Sequence, residues 1–336
     1  MDKERYNNED FLYASAYVRC REKYLLNREG VEKMVDSKTP EDALKILYEF
    51  DYGVDSEETD NGFEALLSGE LEKTYKMILS LTSAESYFAV FLFPNDYQNI
   101  KTLLKAEFLG ITADELLIDA GSIPAAQLKD LIQNRGYSAM RPEMSKGIQE
   151  AIESYGRSRD PQTIDLILDQ ACYRDMNADT AKLKNDFIKG YLALKIDTTN
   201  LKSFVRSQEM KKPWRFFSGI FLEGGGIGKG VFTENYELAL EQFAEKLWKY
   251  GLQKTLQEGA AMIKETGRVT ALEKSCDNLL MEYIRGARYI CAGPEVLFAF
   301  MAAKEGEIKN ARIIMAGKHA GLPPDQIRER VRKTYA

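Results

Sequence analysis

Apolar residues recur along most of this chain with the three-to-four-residue spacing of amphipathic helices. Residues 41–50 place their apolar side chains on one face, and Thr39 followed by Pro40 is a typical helix start. The same periodicity predicts helices over residues 71–80, 148–155, 163–173, 238–256 and 272–289. No run alternates apolar and polar residues as a half-buried strand would. The sequence therefore predicts an all-α fold.

A seven-residue pattern occurs three times at nearly even spacing. The copies lie at residues 99–105, 200–206 and 307–313, each after an apolar run. Their equivalent lysines are Lys101, Lys202 and Lys309, which are 101 and 107 residues apart in a chain of 336 residues. So long a period excludes short solenoid repeats and indicates three similar, domain-sized helical units.

Features around the pattern repeat with it. Asp169 and Asp277 precede their lysines by 33 and 32 residues, and a Gly-x-Ile turn follows the first two copies at Gly121 and Gly225. These landmarks predict domains at residues 1–123, 124–231 and 232–336. The alternative interpretation is that all-helical chains commonly show apolar runs followed by lysine and glycine, without any shared origin.

Charge and hydropathy limit the classes of function. Glu85 and Asp96 bound one apolar run and Glu295 interrupts another, so none approaches the ~18 residues of a membrane-spanning helix. The first five residues contain no apolar signal region, so we expect a cytoplasmic protein without direct transmembrane insertion. A net charge of −6, with basic residues interleaved with acids, disfavours nucleic-acid binding.

The glycine-rich string at residues 224–230 is the one candidate phosphate site. A P-loop requires glycine at the position of Glu223 and serine or threonine at that of Gly230, and dinucleotide spacing is absent as well. We interpret the string as a flexible turn between units.

Other catalytic chemistry lacks suitable residues. His319 is the only histidine, and the four cysteines have no metal-ligand spacing. Some of the 52 acidic residues must lie near one another, which leaves catalysis by paired carboxylates open. An enzyme would ordinarily need a convergent set of unusual polar residues, and the sequence does not display one.

The repeated pattern also supplies basic pairs on one helix face. These six residues are candidate partner contacts: Lys101 and Lys105, Lys202 and Arg206, and Lys309 and Arg312. If the units surround a threefold-like axis, the cations would ring a central opening. The alternative is that they cap or solvate equivalent helices and repeat only through common ancestry.

With these motifs the chain resembles the C subunit of bacterial and archaeal V/A-type rotary ATPases, the equivalent of the d subunit of eukaryotic vacuolar ATPases. The resemblance covers essentially the whole chain. It rests on residues 16–19 with Leu25 and Leu26, on residues 95–101 and 195–201, and on residues 305–318 followed by Gly321-Leu322-Pro323. Glu307 replaces asparagine in the third copy, which weakens strict equivalence there.

This resemblance implies three helical units arranged as a pseudo-threefold funnel with a central cavity. It also implies a non-catalytic central-rotor subunit that needs no cofactor and no metal of its own. The subunit is a socket for the central-stalk shaft subunit and sits on the membrane proteolipid ring. Such a subunit couples ATP hydrolysis or synthesis to proton or sodium transport, and it is peripheral on the inner face of the cell membrane. The competing hypothesis is an all-helical repeat adaptor that binds peptides or regulatory proteins.

Overall fold

A computed structural model describes residues 8–53 and 62–336 of the chain. Within these ranges all regular secondary structure is helical, which confirms the predicted all-α class. The α-helices are α1 (Leu12–Arg21), α2 (Arg28–Asp36), α3 (Pro40–Glu49), α4 (Gly62–Ser80), α5 (Ala89–Leu109), α6 (Ala125–Gln133), α7 (Pro142–Ser158), α8 (Gln162–Thr180), α9 (Asp186–Glu209), α10 (Trp214–Ile220), α11 (Lys229–Thr233), α12 (Leu240–Lys246), α13 (Gln253–Thr266), α14 (Thr270–Arg285), α15 (Pro294–His319) and α16 (Pro324–Arg330).

Helix starts follow local side-chain chemistry. Thr39 caps α3 as predicted, since its side chain accepts a hydrogen bond from the backbone N–H of Asp42, and Pro40 occupies the first helical position. Asn27 and Asn185 cap α2 and α9 in the same way. Each cap satisfies a donor that the first turn of a helix leaves unpaired.

The predicted helices all appear, with one correction. The single helix predicted over residues 238–256 is interrupted between α12 and α13 by a 3-10 turn, Trp248–Tyr250, and by Gly251. Gly251 has a φ of 73°, a left-handed conformation that glycine adopts readily and that ends the turn. Amphipathic periodicity continues on both sides of such a break, so the hydrophobic pattern did not reveal the break.

Long-range contacts divide the chain into two compact units. Unit 1 comprises Met1–Ala84 and Ala239–Ala336, and unit 2 comprises Glu85–Leu238. The first two copies of the repeated pattern therefore lie in unit 2 and the third in unit 1. The domain boundaries at 123/124 and 231/232 stay a prediction.

Unit 2 is built around the long helices α5 and α9. The helices α7 and α8 form an antiparallel hairpin, and α8 packs along α5. On α9, the buried ring of Phe204 contacts those of Phe217, Phe232 and Tyr236 at centroid distances of 5.3–5.5 Å. These aromatic contacts fix the short helices α10 and α11 against α9.

Unit 1 has the 26-residue helix α15 at its centre. The helices α1, α3 and α4 from the first part of the chain pack on it, as do α14 and α16 from the last part. A buried core joins Leu26 and Met34 near α2 to Ile314 on α15 and Ile327 on α16. Each such side chain contributes about 1.5–3 kcal/mol by leaving water, so the two distant parts of the chain form one folded body.

Candidate functional site

Three buried asparagines make the same pair of backbone hydrogen bonds on the three long helices. In each case the side-chain amide donates to a carbonyl and accepts from the N–H of a single later residue, an arrangement that we call an asparagine clamp. The clamps join Asn99 to Ile118 (2.7 and 2.8 Å), Asn200 to Leu222 (2.8 and 2.9 Å), and Asn310 to Arg332 (3.1 and 2.9 Å). All three asparagines are buried, so the clamps hold the segment after each helix against its core.

A buried acid lies three residues before each clamping asparagine. Each acid accepts a hydrogen bond from a backbone N–H in a turn. The pairs are Asp96 with Ile123 (3.1 Å), Asp197 with Ile227 (3.0 Å), and Glu307 with Leu26 (2.6 Å). The first two turns follow their helix in the chain, whereas the third comes from the N-terminal part, 281 residues away. The N-terminal segment of unit 1 thus completes the third copy.

The clamps correct the register predicted for the third copy. Asn310 matches Asn99 and Asn200, so the counterpart of Lys101 and Lys202 is Arg312 rather than Lys309. A shift of three residues keeps nearly the same helix face, so apolar periodicity did not reveal the error. The sequence signal that identifies the correct register is an acidic residue followed three positions later by asparagine.

The glycine-rich string is a pinned turn, which corrects its interpretation as a flexible one. The backbone N–H groups of Gly226 and Ile227 donate to the Asp197 carboxylate at 2.9 and 3.0 Å. Asn177 donates to the carbonyl of Glu223 at 3.0 Å. Two of the N–H groups that a phosphate loop would direct at its ligand are therefore already bonded to a carboxylate.

Two glycines are required by close approach of these acids. A Cβ atom on Gly121 would overlap Oδ1 of Asp96, and one on Gly225 would overlap Oδ1 of Asp197. The two Gly-x-Ile turns that the sequence singled out are thus equivalent in structure as well. Each glycine lets a turn reach the buried acid of its own copy.

Four of the six predicted contact cations form ion pairs within the chain. The pairs are Lys101 with Asp169 (2.9 Å), Lys105 with Asp165 (2.6 Å), Lys309 with Asp277 (2.6 Å), and Arg312 with Glu64 (3.0 Å). The sequence assigned Asp169 to the second copy and Asp277 to the third. Asp277 does pair with the lysine of the third copy, whereas Asp169 pairs with the lysine of the first. Lys202 forms no ion pair with any residue in 8–53 or 62–336, and Arg206 is exposed in the last turn of α9.

Unit 2 contains a buried ionic centre that sequence reasoning missed. Arg141 donates to Asp96 at 3.0 Å and to Asp175 at 2.6 Å, and its guanidinium lies 3.7 Å from the ring centroid of Phe93. Burial raises the pKa of Asp96 above its ordinary value, although hydrogen bonds from Ser122 and the Arg141 charge oppose the rise. Fixed partners on every side make this centre a structural crosslink between α5, α7 and α8.

Unit 1 has an ionic centre of its own on α15. The buried Lys304 lies 2.8 Å from Glu307 and 3.3 Å from Glu70, and Tyr52 donates to Glu307 at 2.6 Å. Burial is also the largest cause of the raised pKa of Glu70. This centre ties α4 and the end of α3 to the third copy.

Neither ionic centre has the features of a catalytic or metal site. In the described part of the chain no three metal-ligating side chains converge. His319 is stacked on Phe63 with ring centroids 5.3 Å apart and belongs to neither centre. No described helix is long and apolar enough to span a bilayer. The repeated geometry supports a structural task, the rigid holding of helices.

Comparison with known proteins matches nearly the whole chain. A family model described as ATP synthase (C/AC39) subunit covers residues 14–330. The C subunit of the A-type ATP synthase of Methanocaldococcus jannaschii is 25% identical, over 95% of this chain and 85% of that protein. The C subunit of the V-type sodium ATPase of Enterococcus hirae is 25% identical, over 95% and 97%. The C subunit of the V-type ATP synthase of Thermus thermophilus is 22% identical, over 96% and 98%.

Proposed function

Because the chain belongs to the ATP synthase (C/AC39) subunit family, we propose that it is the non-catalytic central-rotor subunit of a V/A-type rotary ATPase. In this role it is a socket that receives the central-stalk shaft subunit and rests on the membrane proteolipid ring. It passes torque between the catalytic head and the ring, and so links ATP hydrolysis or synthesis to proton or sodium transport. Its place is the cytoplasmic face of the membrane, held there through the ring.

The observation that carries the proposal is the threefold asparagine clamp. A torque-bearing part must resist deformation, and close-packed helices with fixed connections are stiff. Three long helices, each held to its following segment by two hydrogen bonds of a buried asparagine, provide three equivalent rigid elements. We infer that they stand around a pseudo-threefold axis as a funnel with a central cavity.

Among the six repeated cations, Lys202 is the best candidate for a contact with the shaft. Lys101, Lys105, Lys309 and Arg312 are already neutralised by carboxylates of the same chain. Lys202 occupies the equivalent helix position without such a partner in the described residues. In the first and third copies, the cation at this position forms an ion pair with a carboxylate of the same chain. In the second copy, a carboxylate of the shaft subunit would supply the equivalent partner for Lys202.

The test is binding of the purified shaft subunit to the intact chain. Lys202→Glu should weaken binding by about tenfold or more, because like charges facing each other at an interface are costly. The matched control is Lys189→Glu, a charge reversal on α9 at a position 13 residues earlier, facing nearly the opposite way. Both variants should unfold at the same urea concentration as the wild type.

Two outcomes separate the contact from the role. If Lys202→Glu binds the shaft like the wild type, this lysine is only a solvated helix position. If the wild-type chain itself binds neither the shaft nor the ring in a pull-down, the proposed rotor role is wrong.

A further inference from the structure

Unit 1 contains a groove that none of the clamps or ionic centres uses. It lies between the α13–α14 hairpin and the pair α15–α16, and its volume is about 650 Å³. Its floor is apolar, with contributions from Met262, Ala271, Ile313, Ala316, Ala320 and Leu322. A volume of this size is typical of sites that take several side chains of a ligand.

The rim of this groove is basic. Arg268, Lys274 and Arg330 line it, and none of them forms an ion pair with a carboxylate among the described residues. Arg332 also lines it but is paired with Asp277 at 3.0 Å. Burial lowers the pKa of Lys274, and the neighbouring Arg332 charge acts in the same direction. An anionic group placed in the groove would relieve this repulsion.

Two acids share the lining without balancing the cations. Glu258 accepts a hydrogen bond from Ser275 at 3.2 Å and lies 3.8 Å from Lys254 outside the groove. Glu329 lies near Lys274, whose amine donates to its backbone carbonyl at 2.8 Å. The chain as a whole carries a net charge of −6, whereas the rim of this groove has more cations than acids. The charge of the groove is therefore opposite in sign to that of the whole chain.

We propose that this groove binds an acidic amphipathic α-helix of a partner protein. From Glu258 to Thr266, α13 offers about 12 Å of wall at 1.5 Å per residue, enough for two turns of a helix. The small side chains of Ala316 and Ala320 let a helix approach closely, so its apolar stripe can rest on the floor. Acidic residues beside that stripe then meet Arg268 and Arg330 at the rim.

A recessed apolar floor distinguishes a helix from other anionic partners. A membrane surface recognised by charge is typically met by a cluster of about 4–8 cations on an exposed face, whereas three unpaired cations here surround a concave floor. The inference does not depend on the proposed rotor role, because it requires neither the shaft nor the ring.

The experiment uses the full chain and a fluorescein-labelled helical peptide. The peptide carries leucine at positions i, i+3, i+4 and i+7 with flanking glutamates, and a second peptide has lysine in place of each glutamate. Fluorescence anisotropy at low salt should show saturable binding of the acidic peptide only. The double variant Arg268→Glu, Arg330→Glu should weaken that binding by about tenfold or more. Ala316→Trp, which fills the floor, should abolish it.

A matched control and four contrary outcomes complete the test. Lys264→Glu reverses an exposed charge on α13 two residues from Met262, on the opposite face, and should bind like the wild type. The proposal is overturned if neither peptide binds, or if both bind equally. It is also overturned if Lys264→Glu weakens binding as much as the double variant does. A fourth contrary outcome is that neither peptide but only phosphatidylglycerol vesicles bind the wild-type chain, and that the double variant no longer binds these vesicles.

Discussion

At the residue scale, the asparagine amide explains why one side chain recurs in all three copies. It is a planar group that both donates and accepts, so it can pair with the N–H and C=O of one residue as another peptide would. Aspartate could accept but not donate, and alanine could do neither. In the second copy the buried N–H and C=O groups of Leu222 would otherwise lack partners, at a cost that folded proteins rarely tolerate.

Replacing one clamp should therefore be costly. Asn200→Ala removes the partner of both backbone groups of Leu222, which are buried, and we expect a loss of about 2–5 kcal/mol in the free energy of unfolding. Urea denaturation measures this loss. The control Asn134→Ala removes an exposed contact with Asp130 and should change stability by less than about 0.5 kcal/mol. Equal effects of the two substitutions would contradict the clamp's role.

The buried acid of the second copy should give a signed pH dependence. Burial raises the pKa of Asp197, although the N–H groups of Ile227 and Gly226 oppose the rise. The folded state then binds a proton more readily than the unfolded state, so this carboxyl stabilises the fold most below about pH 4, its unfolded pKa. That contribution is lost as the pH rises through the raised folded pKa.

The measurement compares the wild type with Asp197→Asn, which cannot titrate. The free energy of unfolding of the wild type should fall relative to that of the variant as the pH rises above about 4, the unfolded pKa. The lost carboxylate hydrogen bonds add an offset to the comparison, while the slope reports the titration. A difference that stays constant with pH, or that changes in the opposite direction, would show that Asp197 has no raised pKa.

At the element scale, each long helix is useful only with the turn that folds back on it. The turn at residues 225–227 has its N–H groups bonded to Asp197, and the Asn200 clamp holds the residues just before it. Close approach of the turn to α9 depends on the missing side chain of Gly225. Acid, asparagine and glycine thus act together on one segment.

Gly225→Ala should break this arrangement. The new methyl group would overlap Oδ1 of Asp197, so either the turn or the acid must move. We expect a loss of about 1–3 kcal/mol, the range typical of overpacking in a close-packed site. Gly219→Ala in α10 meets no atom within 4 Å and should be neutral or stabilising by up to about 1 kcal/mol. Thermal unfolding measures the stability of both variants. If Gly225→Ala is as stable as the wild type, the turn is not held against Asp197 as described.

Sequence predicted the helices well, because their periodicity and caps are local. The break at Gly251 was missed because amphipathic periodicity continues on both sides of it. The register of the third copy was missed because a helix face looks nearly the same after a shift of three residues. The link between Leu26 and Glu307 joins residues 281 positions apart, and no local pattern encodes such a contact. The ion-pair partners of the repeated lysines were unpredictable for the same reason.

At the scale of the whole molecule, three copies of one device lie in two compact units. Unit 2 carries two of them, and unit 1 completes the third with its N-terminal segment. Inside unit 1, the Lys304 centre and the Glu307 hydrogen bond to Leu26 connect the two distant parts of the chain. These contacts make unit 1 a single close-packed body, which is what the proposed torque-transmitting role requires.

The most direct test is ATP-driven ion uptake by proteoliposomes carrying the V/A-type complex, assembled with and without this chain. Proton uptake and sodium uptake are both followed, alongside ATP hydrolysis. Without the chain, the catalytic head should still hydrolyse ATP while uptake of either ion is lost, and adding the chain back should restore uptake. Undiminished ion uptake without the chain would contradict the account. So would loss of ATP hydrolysis by the catalytic head when the chain is left out.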